Sequence, residues 1–381
     1  MTHTPRAIAD LPTPCALLDE PRMTRNISRL AQQAEDIGVT LRPHLKTCKS
    51  LDVAQRLLTG GTGPAMVSTL AEAEVFADAG VTDTTYGVGI ALNKLDRVLA
   101  LLRRGCRLTV LVDNAPQARA VAEASRMAGI PIPALIEIDS DGHRSGLSPH
   151  DPALIEIGRL LEEGGAELAG VLTHAGESYG AVGQAAQARF ACAERDAAVQ
   201  AAKRLREVGL PCPVVSVGST PTAHAATDLS GVTELRAGVY VFFDLVMAGI
   251  GACAVEDLAL SVLTSVIGAQ KDKGWLMVDA GWMALSRDRG TAAQAVDQGY
   301  GLVCDVEGNV LPDLIVAQCS QEHGTIAARP GSGAQVPYLA PGTLLRILPN
   351  HACATAAQHG GYHVLDGEGD VTGYWARFGG W

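Results

Sequence analysis

The chain has 381 residues, 47% apolar and 19% charged, with a formal net charge of −11. It holds no run of about 18 uninterrupted apolar residues, and its start, MTHTPRAIADLPTP, lacks the apolar stretch of a secretory leader, so neither a membrane span nor a signal peptide is expected. An acidic balance with no basic block argues against a nucleic-acid surface, and nine cysteines without a repeated Cys-x-x-Cys spacing point to reduced thiols in the cytoplasm rather than a disulfide framework.

In chain order, PCALLDE opens with a strand. Eight short apolar runs then alternate with amphipathic segments: VTLRPHL (39–45), AMVS (65–68), TTYGV (84–88), RLTVLV (107–112), PALIEI (133–138), LAGVLTH (168–174), PVVSVG (213–218) and TELRAGVYVFF (233–243). Between them, TLAEAEVFADAG starts with Thr69 and Glu72 at capping-box spacing, and NKLDRVLALLRRG ends on a closing glycine. Eight such units over about 200 residues predict a (β/α)8 TIM barrel in an α/β chain, with a doubly wound open sheet as the competing reading. Past residue 255 the helical patterns thin out. LALSVLTSVIGAQ, GWLMVDAG, GLVCDVEG, DLIVAQCSQEHGTI, GTLLRILPN and GYHVLDGEG read as a mainly β domain. The expected division is a barrel over 18–250 and a β domain from 1–17 and 251–381.

In such barrels the reactive groups come from the carboxyl ends of the strands. The first barrel strand ends in RPHLKTCKS, which places Lys46 there; a neutral amine at that point meets the requirement for a Schiff-base lysine, although a lysine at a strand edge is also an ordinary surface residue. The fifth strand ends in EIDSDGHRSG with Arg144, and the sixth in THAGESYG with His174 and Tyr179. VGSTPTAH after the seventh brings Gly218, Ser219 and Thr220, and RAGVYVFFD in the eighth brings Gly238 and Val239, as donors for a phosphate. Ser and Thr in such turns also simply cap helices. Lysine and phosphate cradle together imply pyridoxal 5'-phosphate.

RPHLKTCKS, EIDSDGHRSG, THAGESYG, VGSTPTA and ELRAGVYVFFD together resemble the motifs of the alanine-racemase-like, fold type III pyridoxal-phosphate enzymes. More narrowly they resemble the branch of D-threonine aldolase, D-serine dehydratase and the 3-hydroxy-D-aspartate dehydratases and aldolases. The resemblance implies an N-terminal barrel, a C-terminal β domain and a homodimer. It also implies that Lys46 carries the cofactor and acts as general base, that Arg144 holds the phenolic oxygen and His174 lies against the ring, and that Tyr179 orients the cofactor. Thr220, Gly238, Val239 and Tyr240 would surround the phosphate. The usual PHxKTHK reads PHLKTCK, with Cys48 in place of a histidine.

In LPNHACATAAQH, His351 and Cys353 are two apart and on an extended segment would point the same way; an imidazole and a thiolate suit zinc, although a core cysteine beside a turn histidine is the commoner meaning of the spacing. The family resemblance implies a divalent metal here, zinc before magnesium or manganese; His359 and His363 are nearby candidates, but HGGYH reads as a loop and strand without metal. It also implies dehydration of a small β-hydroxy D-amino acid, D-threo-3-hydroxyaspartate or D-serine, to a 2-keto acid and ammonia. Family members with His-x-Cys tend to be dehydratases and those with His-x-Asp aldolases, so Cys353 favours elimination over cleavage to glycine and an aldehyde. A racemase has no use for the metal pair, and a non-catalytic pyridoxal-phosphate carrier lacks the β domain. Arg329 and His323 are the candidate contacts for a second substrate carboxylate.

Overall fold

The computed structural model describes residues 7–58 and 60–381; residues 1–6, assigned with the β domain from sequence, and Thr59 lie outside the described residues. In chain order the strands are β1 (Cys15–Asp19), β2 (Thr40–Pro43), β3 (Ala65–Val67), β4 (Asp83–Gly89), β5 (Arg107–Val112), β6 (Pro133–Ile138), β7 (Glu167–Thr173), β8 (Val214–Val217) and β9 (Glu234–Ala237). They continue as β10 (Leu260–Gln270), β11 (Trp275–Val278), β12 (Leu302–Cys304), β13 (Val310–Cys319), β14 (Gly324–Ala328), β15 (Leu344–Leu348), β16 (Gly361–Leu365) and β17 (Val371–Ala376). The chain divides into two compact units. One is Ser28–Gly238 with Gly379–Trp381, and the other comprises the described residues up to Ile27 with Val239–Phe378.

In the first unit β2 to β9 form one parallel sheet in chain order, apart from the β2–β9 pairing that joins its two ends (Thr40 opposite Glu234, Pro43 opposite Ala237). A bridge between His44 and Met66, with Leu45 N–H donating to the Met66 carbonyl, links β2 to β3 and closes the barrel. That closure sets aside the open doubly wound sheet. Met66, Leu111, Leu135, Ala169 and Leu172 form an apolar cluster among its strands. Local sequence explains the helices around it: Asn114 accepts from the Gln117 N–H at 3.0 Å to start Ala115–Ala128, and Gly129 at φ 64° ends it.

Two sequence expectations need correction here. The eighth barrel strand stops at Ala237, because Val239–Val241 turns as a 3-10 helix and Phe243 sits at φ 50°. Thr69 caps its helix as expected, but Glu72 reaches back to the Ser68 N–H rather than to the cap residue's own.

In the second unit β10 pairs with both β15 and β11, so β11, β14, β13, β12, β15 and β10 close on themselves through antiparallel pairings. β1, β16 and β17 extend the sheet from β10, with β1 and β16 parallel. Val262, Val278, Val303, Val316, Ile326 and Ile347 lie in its apolar core. β17 follows β16 in an antiparallel hairpin that the sequence reading did not anticipate. Among the described residues no helix is long and apolar enough to cross a membrane.

Candidate active site

In the barrel unit, Lys46 sits in the turn that follows β2, with its N–H 3.4 Å from His44 Nδ1. Its neighbour in sequence, Lys49, is held at φ 43° and pairs with the buried Glu72 carboxylate at 3.0 Å, a structural task. Lys46 lies instead within electrostatic reach of His44 and His174. Desolvation first, then the charges of Lys46, Arg236 and His174, push His44 well below the usual imidazole range. Desolvation likewise takes His174 down to about 3, with Arg144, Lys46 and Arg236 adding to it against the hydrogen bond to Gly218. His174 is therefore neutral at physiological pH. Because a carbonyl only accepts, its 3.0 Å contact with the Gly218 oxygen places the proton on Nδ1 and leaves Nε2 bare.

Tyr179, in the 3-10 turn Gly176–Gly180, stands with its ring centroid 6.1 Å from that of His174. Arg144 is in the exposed loop after β6, near enough to His174 and Glu137 to act on both. Gly218 has φ 137°, and a Cβ there would fall 2.0 Å from the Arg236 carbonyl oxygen, so only glycine fits. Gly238 lets its chain approach the lysine turn, since a Cβ would stand 3.1 Å from His44 Cβ and 3.5 Å from Thr47 Oγ1. Cys48 is buried, and its thiol donates to the Leu45 carbonyl at 3.3 Å, which steadies the turn that a histidine would otherwise occupy.

The three residues after β8 divide their work. Ser219 is a capping residue: its Oγ accepts from the Thr222 N–H and its own N–H donates to Thr222 Oγ1 at 2.9 Å. The Gly218 N–H donates to Glu194 at 2.9 Å. Thr220 Oγ1 is buried and has no hydrogen-bond partner among the described residues, so it is the hydroxyl left for a ligand. Val239 and Tyr240 are buried in the turn that begins the second unit.

Two residues here were missed from sequence. Arg236, 3% exposed on β9, donates to Ser216 Oγ at 2.7 Å and to the Thr173 carbonyl at 2.6 Å, while its Nε has no hydrogen-bond partner among the described residues. Glu234 and Arg236 are two apart in a strand that is buried throughout, and that pair was the available signal. Glu194, 1% exposed on the helix Gln184–Glu207, accepts from the Ala175 and Gly218 N–H groups and from Thr222 Oγ1. Lys46, Arg144 and Arg236 around neutral imidazoles, with an orphan hydroxyl close in sequence to Gly218, form a cationic, donor-rich array that fits an anionic phosphate and phenolate cofactor.

In the β unit, His351 is the N-cap of the short helix Ala352–Ala356, so the expected extended His-x-Cys segment is instead a helix start. The pair still meets, since the His351 ring hydrogen-bonds Cys353. The segment is pinned from both sides: Asp244 accepts from the Ala352 N–H at 2.9 Å, and the Leu245 N–H donates to the Pro349 carbonyl at 3.0 Å. Burial opposes a charged His351, but hydrogen bonds to Asp288 and Cys353 and the nearby Asp244 outweigh it and lift the imidazole to about 11.

An imidazole beside a thiol suits a soft divalent ion, and among the described residues no cluster of three or more His, Cys, Asp or Glu offers a closed protein cage. His359 donates to the Ala284 carbonyl at 3.0 Å, and His363 lies on β16 with its ring 5.0 Å from that of Tyr374. Arg329 does not serve as a free cation, because it is engaged by Asp313, the Asp297 carbonyl and Gln298. His323 is exposed between β13 and β14.

Two family models match the chain: alanine racemase, N-terminal domain, over residues 18–246, and a putative serine dehydratase domain over 259–365. D-threo-3-hydroxyaspartate dehydratase of Delftia sp. (strain HT23) is 54% identical over 374 residues, covering 97% of this chain and 98% of the relative. D-serine dehydratase of Schizosaccharomyces pombe is 30% identical over 400 residues, covering 99% and 94%. The solved structure of the Delftia enzyme superposes with a TM-score of 0.95 at 52% identity, covering 98% of this chain and 100% of that one. A D-threo-3-hydroxyaspartate dehydratase C353A mutant in the metal-free form gives the same TM-score and identity, covering 99% and 100%.

Proposed function

The chain belongs to the alanine racemase N-terminal domain family, and from that premise we propose that it is a dehydratase converting D-threo-3-hydroxyaspartate to oxaloacetate and ammonia, with pyridoxal phosphate and a divalent metal, zinc first, as cofactors. The observation that carries this reading is the pairing of two donor sets in one chain, the cationic barrel-edge array around Lys46 and the His351–Cys353 pair. Bound pyridoxal phosphate supplies an electron sink for charge at the substrate's α-carbon, and the metal a Lewis acid for the departing β-hydroxyl.

The protein's own residues do the rest. Lys46 would hold the cofactor, and its Nζ is the base placed to take the α-proton. His174, neutral and fixed by the Gly218 carbonyl, offers an apolar ring face without adding a competing proton. Arg144 holds the phenolic oxygen, and Tyr179 sets the cofactor's orientation. Thr220 Oγ1 and the turn at Gly238, Val239 and Tyr240 receive the phosphate, while Gly218 and Ser219 shape their turn. His351 and Cys353 hold the metal; the thiolate favours elimination over the aldol cleavage that is the second reading. In support, the structurally similar dehydratase mutant that is metal-free carries its substitution at a cysteine of the same number.

This reading also takes the protein to be a homodimer and, in keeping with nine free cysteines, cytoplasmic. Keto-acid formation from D-threo-3-hydroxyaspartate and from D-serine tests the substrate. The expected kcat/KM ratio is roughly tenfold or more in favour of the former. A reversed ratio would move the assignment to D-serine, and no keto acid from either would overturn it.

A further inference from the structure

Resting on the reading of His351 as a metal ligand, we propose that Asp288 is a positioning residue which fixes the His351 ring so that Nε2 is the nitrogen presented to the ion. Asp288 Oδ2 lies 2.6 Å from His351 Nδ1. A carboxylate only accepts, so the Nδ1 proton points at Asp288, and when an ion takes the place of the second ring proton Nε2 is the nitrogen left to bind it, the arrangement by which outer carboxylates select the tautomer and orientation of metal-binding histidines.

The loop bearing Asp288 is tied to the ligand segment at three further points. Asn350 Nδ2 donates to the Asp288 carbonyl at 3.3 Å, Thr291 Oγ1 donates to Asn350 Oδ1 at 2.8 Å, and Thr355 Oγ1 donates to the Leu285 carbonyl at 2.9 Å. Asn350 and Thr355 flank the pair His351 and Cys353, so the loop is fastened on both sides of it. Ser286 is held at φ 73°, a conformation that costs a non-glycine residue about 1 kcal/mol or more and persists where its surroundings over-determine it; its Oγ accepts from the Asp288 N–H at 3.2 Å.

The test is calorimetric titration of zinc into chelator-treated, cofactor-loaded protein, with the melting temperature followed alongside. Asp288→Ala should bind zinc about 10- to 100-fold more weakly than wild type. Asp288→Asn, whose amide oxygen still accepts from Nδ1, should stay within a few fold. Wild-type affinity in Asp288→Ala, or a loss in Asp288→Asn as large as in the alanine variant, would overturn the positioning role. Undiminished zinc binding in His351→Ala would instead overturn the ligand assignment on which it rests. Nitrogen NMR of zinc-bound wild type, with His351 assigned by its absence in His351→Ala, requires no folded Asp288 variant. A protonated Nδ1 and a zinc-bound Nε2 are expected, and the reverse would refute the proposal.

Discussion

Replacing Glu194 should loosen the barrel edge more than any exposed substitution on the same helix. Its Oε1 accepts from the Ala175 and Gly218 N–H groups at 2.9 Å each, and its Oε2 accepts from Thr222 Oγ1 at 2.8 Å. One buried carboxylate therefore joins the strand end that carries His174 to the turn that carries Thr220. Glu194→Ala orphans two buried N–H groups at about 1–3 kcal/mol each, while Thr222 Oγ1 keeps its contacts with Ser219. Relief of the desolvated carboxylate and entry of water offset part of this, which leaves an expected loss of about 2–4 kcal/mol. Glu194→Gln keeps an oxygen for both N–H groups and disturbs only the Thr222 contact, a loss of about 1 kcal/mol.

Urea unfolding of the two variants measures both values, and cofactor titration should show weaker binding in the alanine variant. A Glu194→Ala protein within about 0.5 kcal/mol of wild type would refute the reasoning, since that is the scale of an unremarkable surface change. The pH dependence gives an independent check. Burial raises Glu194 above the usual carboxylate range and prevails over the Thr222 hydroxyl, the Arg236 charge and the two N–H groups that lower it. A raised folded-state pKa contributes stability that is complete below the unfolded value of about 4.3 and is lost as pH rises through the folded one. The stability of wild type relative to Glu194→Gln should fall over that window.

Lys46→Ala should abolish the cofactor's visible absorbance and borohydride labelling while leaving the unfolding midpoint nearly unchanged. Lys49→Ala should instead leave Glu72 buried and unpaired and cost about 3–5 kcal/mol by urea melt, with labelling of Lys46 retained. Thr220→Val removes a buried hydroxyl that has no hydrogen-bond partner among the described residues, so the apo-protein should lose no stability, while pyridoxal phosphate binding measured by fluorescence should weaken by about 1–2 kcal/mol.

The barrel was legible because its strands are short apolar runs and some helices announce their ends; Asn114 and Gly129 bracket one of them. The end of β9 was not, since GVYVFF has strand composition and only tertiary packing turns it at Val239. Two lysines three residues apart look alike in sequence, and the difference between Lys46 and Lys49 lies in Glu72, a residue 23 positions on from Lys49 that itself reads as part of a helix cap. His351 and Cys353 were expected to meet on an extended segment, and they meet on a different backbone, because a helix start brings i and i+2 together through the ring's reach rather than by strand alternation. Asp288 sits in SRDRG, which reads as a solvated turn, and Glu194 sits in a helix rich in charge. Their roles come from long-range contacts, 63 residues apart in one case and 24 in the other, that carry no local pattern.

The most direct measurement is the product balance from D-threo-3-hydroxyaspartate, using cofactor-loaded protein stripped with chelator and then supplied with zinc. Equal amounts of ammonia and oxaloacetate with no glycine are predicted, falling to background without metal and returning with it. Glycine and glyoxylate as the main products, or an undiminished rate in protein shown to be metal-free, would contradict the account.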